Sequence, residues 1–233
     1  MNINRVITFI SSMALVIMLL LNLGLYLMFG DMSFYNREFD KYNVSESTGM
    51  NDDDIMLVTN IVADYVYGIT PALENPEVNI NGENKRFFTE KEMIILGESR
   101  KTISNIKTTR LLSTVVFAST ALVLAFRRKF SIRSFLKCSG VSAFIITLAE
   151  LFGGIAATMS FNTGFALFRS MIFNGNKMFG DKKGILLDLL SQSVFSDTLW
   201  KISFYGSIML AVFMGTGVLI YFLDKKREFK CQS

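Results

Sequence analysis

Apolar residues along this chain fall into four runs separated by polar stretches: Val6 to Phe29, Leu111 to Phe126, Val141 to Met159 and Ile202 to Leu223. Each is close to the length a helix needs to cross a bilayer. A rise of about 1.5 Å per residue across a hydrocarbon core roughly 30 Å thick takes about 20 residues. The second run is the shortest, and it reaches span length when Thr108, Thr109 and Arg110 form its polar end, with Arg110 snorkelling toward headgroups. The pattern predicts an all-α membrane protein with four transmembrane helices, over approximately residues 6–29, 108–126, 141–159 and 202–223 of a single membrane domain, 1–233. The first run is longer than the h-region of a signal peptide and no clear small-x-small site follows it, so it is expected to stay as an anchor.

The polar stretches set the orientation. Arg127, Arg128, Lys129, Arg133 and Lys137 crowd the link between the second and third runs, and Lys225, Lys226, Arg227 and Lys230 follow the fourth. Basic residues in short loops stay on the cytoplasmic side. Both termini are therefore expected in the cytoplasm, which leaves segments 30–107 and 160–201 outside as a small, mainly helical extracytoplasmic cap.

Within the first outer segment, Met50-Asn-Asp-Asp-Asp54 reads as a helix start, since Asn51 or Asp52 can cap free amides and the acids favour the positive end of the helix dipole. That helix runs from Ile55 to Tyr67 and ends at Gly68 and Pro71, before a turn-rich connection from Glu74 to Asn84. Thr89-Glu-Lys-Glu92 matches a capping box and predicts a second helix running through Arg100 into the second span. In the other outer segment, Phe161 to Phe173 suits an interfacial helix despite Arg169, Asn174-Gly175-Asn176 makes a turn, and Ile185 to Leu190 is a short amphipathic helix. Trp200, Tyr205 and Tyr35 read as anchors at headgroup depth.

Composition narrows the chemistry. Of 233 residues 51% are hydrophobic, more than suits a soluble domain of this size. The net charge of +4 comes from basic residues beside the spans, where topology accounts for them, so no nucleic-acid partner is expected. Cys138 and Cys231 both fall in cytoplasmic stretches, where thiols stay reduced. The chain contains no histidine, which removes the usual general base, proton switch and metal ligand. Neither a metal nor another cofactor is expected.

Four local patterns appear in order along nearly the whole chain: Gly49-Met-Asn-Asp before a helix ending in Tyr65-Val; Phe88-Thr-Glu-Lys-Glu92 before the second span; Phe168-Arg-Ser-Met-Ile-Phe173-Asn-Gly after the third; and a leucine-rich stretch to Val194-Phe-Ser-Asp197 before the fourth. The ordered set resembles the lipoprotein intramolecular transacylase (Lit-like) family of four-span bacterial membrane proteins. That resemblance implies the plasma membrane of a Gram-positive bacterium, with membrane lipid and diacylated lipoproteins as partners. It also implies a reaction at the outer leaflet, in which an acyl group moves from the diacylglyceryl moiety of a lipoprotein to the α-amine of its lipidated N-terminal cysteine. The product is a lyso-lipoprotein. Such a family places histidines at the positions of Ile95 and Arg169. Isoleucine has no ionisable group, and arginine, with a pKa above about 12, stays a cation, so neither serves as a base.

If the chain is catalytic, it uses other residues. Glu98 lies three positions after Ile95 on roughly the same helix side, and is either a partly desolvated base or an ion-paired residue near Arg100 and Lys101. Arg169 sits in an apolar, aromatic segment and is expected to meet an anion: a lipid phosphate, a carbonyl developing charge, or a carboxylate such as Glu98. Glu150 is the acid inside the third span, either functional or hydrogen-bonded across the bundle near Gly153 and Gly154. Glu92, Arg100, Phe168 and Phe173 are the candidate lipid- or substrate-binding residues. Ser170 has no activating histidine and no nucleophile-elbow pattern, which argues against a serine hydrolase. The sequence thus carries two functional readings, a divergent Lit-like acyltransferase and a non-catalytic lipid- or lipoprotein-binding accessory subunit, with a small transporter component as a weaker third.

Overall fold

The computed structural model describes residues 3–158, 185–189 and 191–232. Four of its helices are long and apolar enough to cross a membrane: α1 (Ile3–Phe29), α5 (Glu90–Phe126), α6 (Ile132–Thr158, apolar over Ile132–Leu151) and α8 (Gln192–Gln232, apolar over Ser193–Arg227). Between α1 and α5 lie α2 (Met32–Lys41), α3 (Val44–Thr48), α4 (Asp52–Tyr67), β1 (Glu77–Ile80) and β2 (Glu83–Arg86), and α7 (Ile185–Leu189) precedes α8. The chain divides into two compact units, each with its own core.

The first unit comprises Met1–Gly24, Lys107–Ala156 and Ile202–Ser233, and so holds most of the four apolar helices. Its buried centre is small: Val16, Ala143 and Leu210, with Leu20, Ile146, Phe213 and Met214 packed against them. Large apolar side chains such as Leu111, Val115, Phe144, Phe204 and Leu219 instead face outward. In water this would be a liability. In a bilayer it is the ordinary lipid-facing surface, and cohesion comes from close packing and from hydrogen bonds between helices. The Ser12 and Ser142 hydroxyls meet at 3.3 Å between α1 and α6. α6 and α8 touch through bare backbone, for a Cβ built on Gly140 would lie 2.9 Å from the Gly217 Cα, and one on Gly217 would lie 2.9 Å from the Gly140 Cα.

The second unit comprises Leu25–Ile106 and Ala157–Lys201. Local chemistry explains its elements. α2 starts at Asp31, whose carboxylate accepts the Phe34 N–H, and it buries Phe34, Tyr35 and Phe39. α4 starts at Asn51, whose Oδ1 accepts the Asp54 N–H at 2.7 Å, while three aspartates occupy its first turn. It stops at Gly68, left-handed at φ 87°, whose N–H reaches the carbonyls of Asp64 and Tyr65. The expected capping box is present at the start of α5. Thr89 N–H donates to the Glu92 carboxylate at 2.8 Å and Glu92 N–H donates to Thr89 Oγ1 at 3.3 Å.

Two features differ from the sequence expectation. The stretch from Glu74 to Asn84 is not just a connection. It contains most of an antiparallel hairpin in which Glu77 faces Arg86 and Ile80 faces Glu83. Asn81 and Gly82 both adopt positive φ, 52° and 87°, the twist that a two-residue hairpin turn requires. The strands hold because Val78 and Ile80 are buried against α4 and its neighbours, although every position of β2 is exposed. Tyr35 is not at an interface either: it is buried in the core, and its hydroxyl donates to the Met28 carbonyl at 2.9 Å. Burial raises its phenol to about 12. Trp200 and Tyr205, by contrast, are exposed.

Candidate functional site

The first turns of α5 carry most of the sequence-selected residues among those described. One face, made by Glu92, Ile95, Leu96, Ser99 and Ile103, is buried. Glu92 is enclosed yet fully used. One of its carboxylate oxygens takes both the backbone and the hydroxyl of Thr89, each at 2.8 Å, and the other takes the Leu186 N–H at 3.1 Å. The same carboxylate therefore caps α5 and fixes the start of α7. Ile95 contributes an apolar side chain to this face, and its carbonyl accepts from the Ser99 hydroxyl at 2.9 Å.

Glu98 lies beside that face, half-buried, with Oε1 2.6 Å from Lys101 Nζ; the lysine is far more exposed than the acid. An exposed pair of this kind holds the acid weakly, which leaves the carboxylate open to a group that approaches it. Arg100 points to the adjoining loop. Its Nη1 donates to the carbonyls of Thr70 at 2.9 Å and Pro71 at 3.0 Å, and the guanidinium lies 4.8 Å from the Tyr65 ring centroid. The arrangement holds a fixed positive charge where α4 ends. Glu150 belongs to the first unit, exposed on α6. Arg169, Phe168, Phe173 and Ser170 lie outside the described residues, as do the interfacial helix and turn expected around them.

Two polar clusters that the sequence reading did not anticipate join α2 to the first turns of α8. Lys201 Nζ lies 2.7 Å from Asp31 Oδ2 and sits over the Phe34 ring, 3.9 Å from its centroid. One turn earlier, Asp197 accepts from Lys41 Nζ at 2.5 Å and from the Tyr42 hydroxyl at 2.7 Å. The signal in the sequence was the four-residue spacing of Asp197 and Lys201, which puts both on one helix face. Hydrogen bonds from Lys201 and then Ser33 hold the Asp31 carboxyl at about 2, against an ordinary 3.8. A depressed carboxylate stabilises the fold above its unfolded value, and that contribution disappears as pH falls through the folded one. Stability should therefore fall from about pH 3.8 toward pH 2. In Asp31→Asn this part of the acid-unfolding curve should be flatter; a wild-type curve over the same interval would show the pair to be inconsequential.

Four apolar helices of bilayer length, alternating with polar segments that build a core of their own, define a multi-pass integral membrane protein. Residues 8–195 match the sequence profile of the family described as lipoprotein intramolecular transacylase Lit, and the chain belongs to that family. Solved structures of the membrane-integral Lit of Bacillus cereus are similar in fold. One aligns with a TM-score of 0.67 at 16% identity, over 100% of this chain and 99% of that one. A second, carrying a histidine-to-arginine mutation, aligns with a TM-score of 0.67 at 16% identity over 98% of this chain and 95% of the other. A third, with a histidine-to-alanine mutation, has the same TM-score at 15% identity over 100% and 97%. No curated protein sequence matches the chain significantly.

Proposed function

We propose that this protein is a divergent, histidine-independent lipoprotein acyltransferase of the outer leaflet. The observation that carries the reading is the family match across residues 8–195. Orientation follows from charge. Arg127 to Lys137 and Asp224 to Arg227 gather at one end of the first unit, where Asp224 lies 2.7 Å from Lys137 and 3.7 Å from Arg133. This basic end faces the cytoplasm with both termini, and the second unit is the extracytoplasmic cap.

In the reaction, the α-amine of the lipidated cysteine attacks the sn-2 ester carbonyl, forming a C–N bond and a tetrahedral oxyanion. The carbon–oxygen bond to glycerol then breaks. Glu98 takes the proton that the amine loses and returns it to the glycerol oxygen, so that the amide and the free hydroxyl form without net proton change. Arg169 polarises the carbonyl and opposes the oxyanion charge. Arg100, Phe168 and Phe173 contact the lipid, Glu92 holds the start of α5, and Glu150 is the second candidate base.

The non-catalytic reading, a lipid- or lipoprotein-binding accessory subunit, draws its support from Ile95, a buried apolar side chain where the family resemblance places a histidine. Mass spectrometry of lipoprotein N-termini separates the two. The chain is expressed in a Lit-deficient bacterium that makes diacyl lipoproteins, beside Glu98→Gln, Glu150→Gln and Arg169→Ala. The lyso form should appear with the wild type and fall about 10²- to 10⁴-fold when the base is removed. Unchanged diacyl lipoproteins with confirmed membrane expression of the wild type would overturn the transferase and leave the accessory reading.

A further inference from the structure

A groove of about 500 Å³ runs between α6 and α8 in the first unit, within the range of roughly 300–1,000 Å³ usual for ligand sites. Its floor is the Gly140 and Gly217 backbone contact, and its walls are Val141 and Phe144 on one side and Met214 and Val218 on the other. Lys137 and Tyr221 close one end. Phe144 lies seven positions after Lys137 on α6, so the groove descends about 10 Å from the level of the lysine. Val141, Phe144, Val218 and Tyr221 are all more than half exposed, leaving the trough open along its side.

We propose that this groove seats one acyl chain of an anionic phospholipid, whose phosphate is held by Lys137 and Arg133. Charge complementarity selects this occupant. Lys137 lines the groove, Arg133 shares its Asp224 partner, and Lys225, Lys226 and Arg227 follow Asp224 directly in the sequence. Basic recesses between spanning helices recognise anionic headgroups, with the chain below them in hydrocarbon. Asp224 already engages both Lys137 and Arg133, and so acts as an internal competitor for the phosphate. The site is independent of the acyl-transfer chemistry, because it uses none of the candidate catalytic residues.

Native mass spectrometry of the detergent-purified full chain, offered equal amounts of phosphatidylglycerol and phosphatidylcholine, tests this. One phosphatidylglycerol should be retained in preference to phosphatidylcholine. Lys137→Gln should weaken that retention about fivefold, Lys137→Arg should keep it, and Asp224→Asn should strengthen it. Val218→Trp, which fills the trough from an exposed position, should abolish it. Equal retention of the two lipids, or indifference to Lys137→Gln in a variant with wild-type helix content, would overturn the proposal. So would a lipid-free dimer disrupted by Val218→Trp, which would assign the groove to a second copy. If Val218→Trp does not fold, the Lys137 and Asp224 variants still decide between specific and bulk lipid.

Discussion

Replacing Glu92 with alanine should destabilise the second unit by about 3 kcal/mol, one of the two largest single-residue effects expected in this protein. The carboxylate is 5% exposed and accepts three hydrogen bonds, from the Thr89 backbone, the Thr89 hydroxyl and the Leu186 backbone. Alanine leaves the buried Leu186 N–H without its partner and removes half of the capping box. Each loss is worth about 1–2 kcal/mol. Glu92→Gln should fall between the two, because an amide keeps one accepting oxygen but its NH₂ group cannot take the other set of donors. Hydrogen exchange provides the readout. The Leu186 amide should exchange about 100-fold faster in Glu92→Ala, while amides of the first unit stay unchanged. Wild-type protection at Leu186 would mean that the carboxylate does not tie α7 to α5.

The second large effect contrasts two glycines on one helix. Gly217→Ala should destabilise the first unit by about 1–3 kcal/mol, since the added Cβ would meet the Gly140 Cα at 2.9 Å and the Leu136 carbonyl oxygen at 3.3 Å. Backbone cannot move aside as a flexible side chain would, so α6 and α8 must separate and lose their closest contact. Gly215 lies only two residues earlier, and nothing lies within 4 Å of a Cβ built there. Gly215→Ala should therefore be neutral or gain up to about 1 kcal/mol through helix propensity. Reversible unfolding in detergent micelles would compare the pair directly. Equal effects at the two positions would mean that the α6–α8 approach is not tight enough to exclude a methyl group.

The contrast between units shows where sequence reading succeeds. The spans were legible because each is a long apolar run, and the limits of α4 were legible because its cap and stop are encoded within a few residues of its ends. The capping box at Thr89 was readable for the same reason. α2 was not: it is short and polar, and its docking rests on Asp197 and Lys201, which lie 156 and 170 residues away from their partners. The hairpin was missed although Asn81-Gly82 is a favoured turn pair, because its strands are four residues long and carry several residues of low strand propensity. The candidate site divides in the same way. Glu98 and Lys101 are neighbours along one helix and their pairing could be foreseen, whereas the attachment of Arg100 to Thr70, Pro71 and Tyr65 depends on how α4 meets α5. The bond from the Leu186 N–H to Glu92 crosses 94 residues and has no local signature.

The hairpin has a bearing on how the protein is surveyed for damage. Two strands alone are barely stable in water, so β1 and β2 persist through the burial of Val78 and Ile80 and through two attachments, Asn79 N–H to Asp54 at 3.2 Å and Asn81 N–H to the Gly49 carbonyl at 2.9 Å. The first reaches α4 itself, and the second reaches the glycine that caps the end of α3. Lys85 and Arg86 are exposed on β2, yet trypsin needs an extended, unpaired strand to cut beside them. Resistance to cleavage at this pair should therefore report on whether the hairpin stays paired and seated against Asp54 and Gly49.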